Sequence, residues 1–455
     1  MRFLKQFLLA VLSGCVLAPL QAAAPTGPEA LLVILGDQHS AYERSAQLVA
    51  TVDRLKAEYP ALPLAILLNG DTLEHGNVVA RRSAGAIDFA LFAALARRAP
   101  TILNLGNHEP EFYDVAETVR RIQATGVTVV GNIVNRATGE LYALASTSLT
   151  LGREEATVVG FTTDHLSTYR AAVRPSLDLA NPVVWAKEKL PALLGAACLP
   201  VVLSHAGLTA DREILPLLPP GTLFAGAHDH LRFVHALERG AYVHSGSWNE
   251  WVTLAWLHHN AAGEAVWQVK QITVPLDGPV DPELAGLIRE TQLKYLTPDD
   301  TATVGRSPRA MPPAEAAKFV AGLMASSAGV DAAFIGNTTF GAGLPAGATS
   351  RVEFDACVRF DGTLFTADVD GTRLQALLAA ANQGPDVAFE KRRGEFLFAV
   401  GPSQIDPAKR YRIATTDWGA RNTRSYFGDP AIEWQELGGA KLKTRVLAGM
   451  KSVQP

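Results

Sequence analysis

Short runs of apolar, β-favouring residues recur along the first half of the chain, and polar residues close each run. Leu31 to Leu35, Leu64 to Leu68, Thr101 to Leu105 and Val201 to Leu203 read as buried strands. Longer stretches with apolar positions three and four apart lie between them. Ala41 to Glu58 places Leu48, Val52 and Leu55 on one helical face, and Ala86 to Ala99 does the same with Phe89, Phe92 and Leu95. Val115 to Ala124 predicts a third helix, ending before Gly126. The alternation predicts βα units from about Glu29 to Leu276, with strands dominating from Leu141 to Trp256, Val158 to Phe161 and Leu223 to Ala225 among them.

The pattern breaks after Leu276. Pro275, Gly278, Pro279 and Pro282 interrupt regular structure, and Glu283 to Leu293 reads as a connecting helix. Beyond it, a helix over Pro313 to Ser327 and strands at Ala332 to Ile335, Phe396 to Val400 and Arg410 to Thr415 predict a second, smaller α/β unit. The chain divides accordingly into residues 25–276, a connector at 277–300 and a C-terminal unit at 301–455.

Composition adds little to this picture and excludes some of it. A formal net charge of -4 gives no basic surface for a nucleic-acid polymer. Three cysteines without a Cys-x-x-Cys spacing support neither a thiolate metal site nor a disulfide framework. Residues 1–24 have the form of a secretory leader: Arg2 and Lys5 precede an apolar run from Phe7 to Leu20, and Ala22 to Ala24 offer small residues for cleavage. Leu12-Ser13-Gly14-Cys15 also resembles a lipobox, which would leave Cys15 lipidated. Cleavage near Ala24 is favoured because apolar residues continue past Cys15. Both routes predict a periplasmic or secreted protein, and no later segment is apolar enough to span a bilayer.

The polar residues that close the strands are those metals take as ligands. They are Asp37 and His39, Asp71 after Gly70, Asn107 and His108, His205 after Ser204, and His228 with His230. Open α/β sheets build their sites at strand exits. Asp37 and His39 lie two apart, so on extended backbone they point alike. Gly70 permits a sharp turn that aims Asp71 inward. Any one segment reads more readily as an ordinary turn. The full series, each after its own apolar run, fits carboxylate, imidazole and amide oxygen around two divalent ions such as Zn, Mn, Fe or Co.

Asp-x-His, Gly-Asp, Gly-Asn-His-Glu, Ser-His and Gly-x-His-x-His in this order resemble the calcineurin-like metallophosphoesterases, with Ala227 as an extra residue before His228. Asp406 to Thr415 and the Ala367-Asp368-Val369-Asp370-Gly371 segment resemble the 5'-nucleotidase C-terminal domain. The resemblance is to the bacterial secreted 5'-nucleotidase and 2',3'-cyclic phosphodiesterase family. It implies an α/β fold: an αββα metallophosphoesterase sandwich followed by a smaller α/β domain. It implies that Asp37, His39, Asp71 and His230 hold one metal, and that Asp71, Asn107, His205 and His228 hold the other. His108 then faces the phosphate as a catalytic residue. The family's Asp that orients this histidine is Glu111 here, one methylene longer, with Asp114 as the other candidate.

For the substrate side, the resemblance implies two aromatic rings that sandwich a base, at Phe360 and Trp418. Trp418 sits in the polar stretch Thr415 to Arg424. The family's Asn-Gly-Gly-Gly-Ile-Arg turn is replaced by Asn337-Thr338-Thr339-Phe340-Gly341, which retains Asn337 and loses the arginine. Arg359, Arg421 and Arg424 are the candidates to replace it. The resemblance implies a secreted dinuclear phosphoesterase acting on phosphate esters of nucleotides or related small molecules through metal-activated hydroxide. A cyclic-nucleotide or nucleotide-sugar phosphodiesterase and a sulfur-oxyanion hydrolase are the alternatives with the same metals. A non-catalytic periplasmic binding protein is the alternative of another class.

Overall fold

A computed structural model describes residues 27–195, 199–428 and 431–453. The leader and Cys15 lie outside the described residues. Two six-stranded sheets face one another in the first unit. The first sheet runs in the order Ala265–Thr273, Trp251–His259, Ala30–Leu35, Leu64–Asn69, Thr101–Asn104 and Thr128–Val130, its last four strands parallel. The second runs Arg232–Ala236, Ala241–Ser245, Leu223–Gly226, Leu199–His205, Glu154–Thr162 and Ser146–Leu151.

The continuous apolar run at Leu31 to Leu35 follows from burial of both faces. Leu32 and Ile34 join the core between the sheets, with Leu67, Val201, Leu203 and Ala225. Leu31, Val33 and Leu35 face outward, under the helices Tyr42–Glu58, Ala86–Ala96 and Val115–Ala124, which bury Leu48, Val52, Phe92, Leu95 and Ile122 on them. A helix not anticipated from the sequence, Pro182–Leu194, is capped by Asn181 and lays Trp185 and Leu190 on the outer face of the second sheet. Sheets inside and helices outside give the expected αββα order.

The connecting helix, Pro282–Tyr295, is capped by Asp281 and buries Leu284 and Ile288 in the helical layer of the first sheet. It is therefore docked on the first unit. The C-terminal sheet has the order Leu397–Val400, Ala332–Gly336, Arg410–Thr416, Thr363–Asp370 and Gln435–Lys441. Helices Pro313–Ala328 and Leu442–Lys451 cover one face, and Gly371–Ala380 covers the other. Phe396 crosses the seam to join the outer core of the second sheet. Among the described residues, no helix is long and apolar enough to cross a membrane.

Candidate metal centre

The two sheets direct the carboxyl ends of their parallel strands toward one edge, and the polar residues leave the strands there. Asparagines tie the sheets together just below. Asn69 Nδ2 donates to Ser204 O at 3.0 Å and Ala225 O at 2.8 Å, and Asn104 Nδ2 donates to Asn69 Oδ1 at 3.0 Å. Strand-exit loops from both sheets are thereby held face to face.

These loops are packed more tightly than ordinary turns allow. Gly70 has φ +75°, and a Cβ there would lie 2.5 Å from His205 Nδ1; a Cβ on Gly106 would lie 2.4 Å from Asp71 Oδ1. Eleven non-glycine residues have positive φ among the described residues, and eight belong to this centre or its wall: Asp37, His39, Ser40, Asp71, His228, His230, Trp248 and Asn249. Such backbone costs about 1–3 kcal/mol per residue and persists only where surrounding bonds enforce it. Asp37 and His39 do share one site, through left-handed turns at φ 50° and 48° in place of the extended backbone expected from their spacing.

The enforcing bonds are present. His39 N donates to Asp71 O at 2.9 Å, and Trp248 N to Asp37 O at 2.9 Å. His228 N donates to both oxygens of Asp37, at 3.0 and 3.1 Å, and His108 N to Asp71 Oδ1 at 2.8 Å. The buried Glu109 carboxylate accepts from Asp71 N, Thr72 N and Gly106 N, which joins two of the loops.

The candidate ligands fall into two groups whose donor atoms lie within 4.8 Å of one another, Asp37, His39 and His230, and Asp71, His205 and His228, and a third group, His39, Asp71 and His108, joins them. His205 Nδ1 donates to Asn69 O at 2.8 Å, and its Nε2 lies 3.0 Å from Asp71 Oδ2; burial opposes a charge on this ring, but Asp71 outweighs it and pushes the ring up to about 10, so without a metal a proton sits between the two. His39 is held neutral by burial and its Nδ1 donates to Glu74 Oε2 at 3.2 Å, so its Nε2 carries a lone pair. That Nε2 lies 3.0 Å from His230 Nε2. Two imidazole lone pairs at this distance repel unless a proton or a cation lies between them. The buried Asn107 Oδ1 and His228 Nδ1 have no hydrogen-bond partner.

Electrostatics agree with a cation. Burial pushes Asp37 up to about 7, with repulsion from Asp71 adding to it. Burial holds His39 and His230 below the ordinary imidazole range and His228 at about 3, so these rings are neutral donors. Buried, crowded carboxylates beside the neutral rings of His39, His228 and His230, with an amide oxygen lacking a donor, fit a pair of divalent ions that would replace the proton His205 carries toward Asp71.

His108 lines the cavity above this centre, and its Nδ1 lies 2.8 Å from Glu111 Oε1. Asp114 instead accepts from Glu117 N as the cap of Val115–Ala124. Burial opposes a charge on His108, but Asp71, Glu74 and Glu111 outweigh it and raise its pKa well above the usual value. Glu74, which sequence reasoning missed, lies 3.8 Å from His108 Nδ1 and 3.2 Å from His39 Nδ1. Its available signal was position alone, three residues after Asp71.

The cavity holds about 320 Å³. Phe360 and Trp418 both line it, the Phe360 ring centroid 6.1 Å from that of His108. Trp418 lies in a short helix, Asp417–Arg421, where a polar loop was anticipated, and its Nε1 donates to Tyr426 OH at 3.2 Å. Asn337 is used within the protein: Nδ2 donates to Asp229 O at 2.9 Å and Oδ1 accepts from Phe396 N at 3.1 Å. Arg359 is buried and turns away from the cavity. Its Nη2 donates to His39 O at 2.5 Å, and its guanidinium stacks 4.4 Å from the Trp248 ring. Trp248, also missed from sequence, stacks 4.6 Å from His39.

Residues 30–232 match the family model described as calcineurin-like phosphoesterase. No curated protein matches the sequence. A 5'-nucleotidase precursor of Thermus thermophilus aligns at 17% identity over 93% of this chain and 96% of its own, with a TM-score of 0.61. The sulfate thiohydrolase SoxB of Thermus thermophilus aligns at 14% identity over 95% and 96%, with a TM-score of 0.64. A 5'-nucleotidase of Candida albicans aligns at 12% identity over 95% and 99%, with a TM-score of 0.60. At these identities the likeness is one of fold, and it extends through the C-terminal unit. Residues 30–232 thus carry the signature of the calcineurin-like phosphoesterases, and the chain as a whole has the two-domain fold seen in the 5'-nucleotidases.

Proposed function

We propose that this protein is an exported phosphoesterase that uses two divalent ions to hydrolyse a small phosphate ester, of a nucleotide or a related molecule. Asp37, His39, Asp71 and His230 would hold one ion. Asp71, Asn107, His205 and His228 would hold the other, with Asp71 shared. The observation that carries this reading is the convergence of buried donor atoms, most directly the paired Nε2 atoms of His39 and His230 and the unpartnered Oδ1 of Asn107. Two such ions clamp phosphoryl oxygens and promote ionisation of a water.

The chain's own residues supply the rest. His108, held at Nδ1 by Glu111, presents positive charge to the phosphoryl group as negative charge accumulates there. Phe360 and Trp418 receive the leaving group on the opposite wall. The oxygen of water bonds to phosphorus, the ester P–O bond breaks in line, and the departing alkoxide takes up a proton to give the alcohol. The complete donor set weighs against a binding protein without turnover. Export rests on the leader at residues 1–24. The test is a panel of phosphate monoesters and diesters, AMP included, run on metal-reconstituted protein, with His108→Ala and Asp71→Asn beside the wild type. Two bound metals without hydrolysis of any ester across a broad pH range would overturn the proposal.

A further inference from the structure

Behind His205 and His228, on the outer face of the second sheet, lies a polar cluster whose members do not line the cavity. Ser204, Gly226 and His244 stand side by side in register on three neighbouring strands, Leu199–His205, Leu223–Gly226 and Ala241–Ser245. Two residues earlier on each strand, and so on the same face, Val202, Phe224 and Tyr242 belong to an apolar core. Gly226 leaves a notch in this row. A Cβ there would press on His244 Nε2 and lie 2.5 Å from Asp211 Oδ2. Asp211, from the helix Leu208–Ile214, fills the notch with a fully buried carboxylate.

The hydroxyls of the cluster converge on that carboxylate. Ser204 Oγ donates to Oδ1 at 2.5 Å, and Tyr242 OH donates to Oδ2 at 2.7 Å. Tyr242 has then spent its proton, so its oxygen accepts from His244 Nε2 at 2.8 Å. His244 Nδ1 is left buried without a partner. Packing alone does not call for such a cluster, because apolar residues of the same volume often serve a core as well or better. What it holds gives it a purpose. Ser204 directly precedes His205, and Gly226 lies two residues before His228. One side chain thereby grips the exits of both strands that present these donors. Asp37 and His39 leave the other sheet, and His230 lies beyond the turn that follows Gly226.

We propose that Asp211 is a positioning residue for one ion of the pair, the one assigned to Asn107, His205 and His228, and that it fixes His205 through Ser204 and His228 through the backbone at Gly226. This rests on the dinuclear reading above and adds a residue to it. The experiment titrates Mn2+ into metal-free full-length protein, with calorimetry for affinity and electron paramagnetic resonance for pairing. In the wild type two ions bind and couple magnetically across Asp71. Asp211→Asn keeps the shape of the side chain and removes one acceptor oxygen. One ion should then bind roughly ten- to a hundredfold more weakly, as when other groups that orient ligands are lost, while the other stays within about threefold. At two equivalents of Mn2+ the coupled signal should give way to that of a single ion. If this variant fails to fold, Tyr242→Phe keeps the ring and deletes one bond to Asp211, and the same selective weakening, smaller in size, is expected of it. Wild-type affinity for both ions in the variant would sink this inference and leave the dinuclear reading standing. Equal weakening of both ions would also sink it, since that is what a general loosening of the fold produces. A wild type that binds fewer than two ions would overturn the dinuclear reading together with this one.

Discussion

The floor and the upper wall of the cavity hold their side chains in different ways. On the floor, Asp37, Asp71 and His205 are buried, each tied to another loop through backbone or side chain, and Asp37 and Asp71 sit on backbone bent into left-handed turns. On the upper wall, Phe360 is 37% exposed, and Trp418 makes one hydrogen bond with its ring nitrogen. A change on the floor disturbs several loops together, because each bond also supports a strained neighbour. A change on the wall alters only what the cavity admits. The difference explains how one metal centre can sit beneath walls of different chemistry, and here beneath a wall without arginine.

The comparison breaks most visibly at Asp71. Asp71→Asn leaves the shape and removes the charge placed between the two groups of donors. The expected loss in kcat/KM is at least about a thousandfold, since metal clamping is worth several kcal/mol. Metal content should fall with it. Full activity with two metals retained would contradict the shared position given to this carboxylate.

The next effect tests whether the floor depends on the C-terminal unit. Arg359 reaches across the seam to His39 O, and Asn337 reaches Asp229 O between His228 and His230. Each holds the backbone of a turn that bears candidate ligands. Arg359→Met keeps the apolar stem over Trp248 and deletes the bond to His39. Metal affinity, read by competition with a chelating dye, should weaken roughly ten- to a hundredfold, as for other residues that orient ligands. Unchanged affinity would show that the floor stands without this strut.

Those struts also mark where the sequence stops being legible. The strands of the first unit could be read because apolar runs buried on both faces leave little ambiguity, and the donors because each closes its own strand. The C-terminal helix Pro313–Ala328 and strand Arg410–Thr416 follow the same local logic. Arg359 and His39, by contrast, are 320 positions apart, and nothing local to Arg359 separates a strut from a phosphate ligand. Asn337 presents the same difficulty: its turn resembles a substrate loop, while its amide is engaged by Asp229 and Phe396. Glu74 was missed because a lone carboxylate beside a histidine usually marks a solvated turn, and its burial depends on loops from elsewhere in the chain.

On the wall, Phe360→Ala should act on binding and spare the floor. Loss of a stacking ring raises KM about tenfold, the lower part of the range for aromatic contacts, while kcat and metal content stay within about twofold. A fall in kcat with KM unchanged would instead place Phe360 with His108, whose ring it approaches at 6.1 Å.

The smallest expected effect is the most discriminating for His108. Glu111→Asp restores the shorter side chain that the family resemblance led one to expect, yet in this backbone it should be the poorer residue. The His108 Nδ1 to Glu111 Oε1 distance is 2.8 Å with the longer chain. Removing a methylene retracts the carboxylate by roughly 1.5 Å, beyond hydrogen-bond reach. The loss is cushioned because Glu74 lies 3.8 Å from the same nitrogen and needs only a small shift to replace Glu111. Glu111→Asp should therefore lower kcat less than about tenfold, below the usual cost of deleting an orienting partner. Adding Glu74→Gln removes the substitute, so the double variant should lose more than the product of the single effects. Strict multiplicativity in that cycle would mean that the two carboxylates act separately, Glu74 on His39 and Glu111 alone on His108.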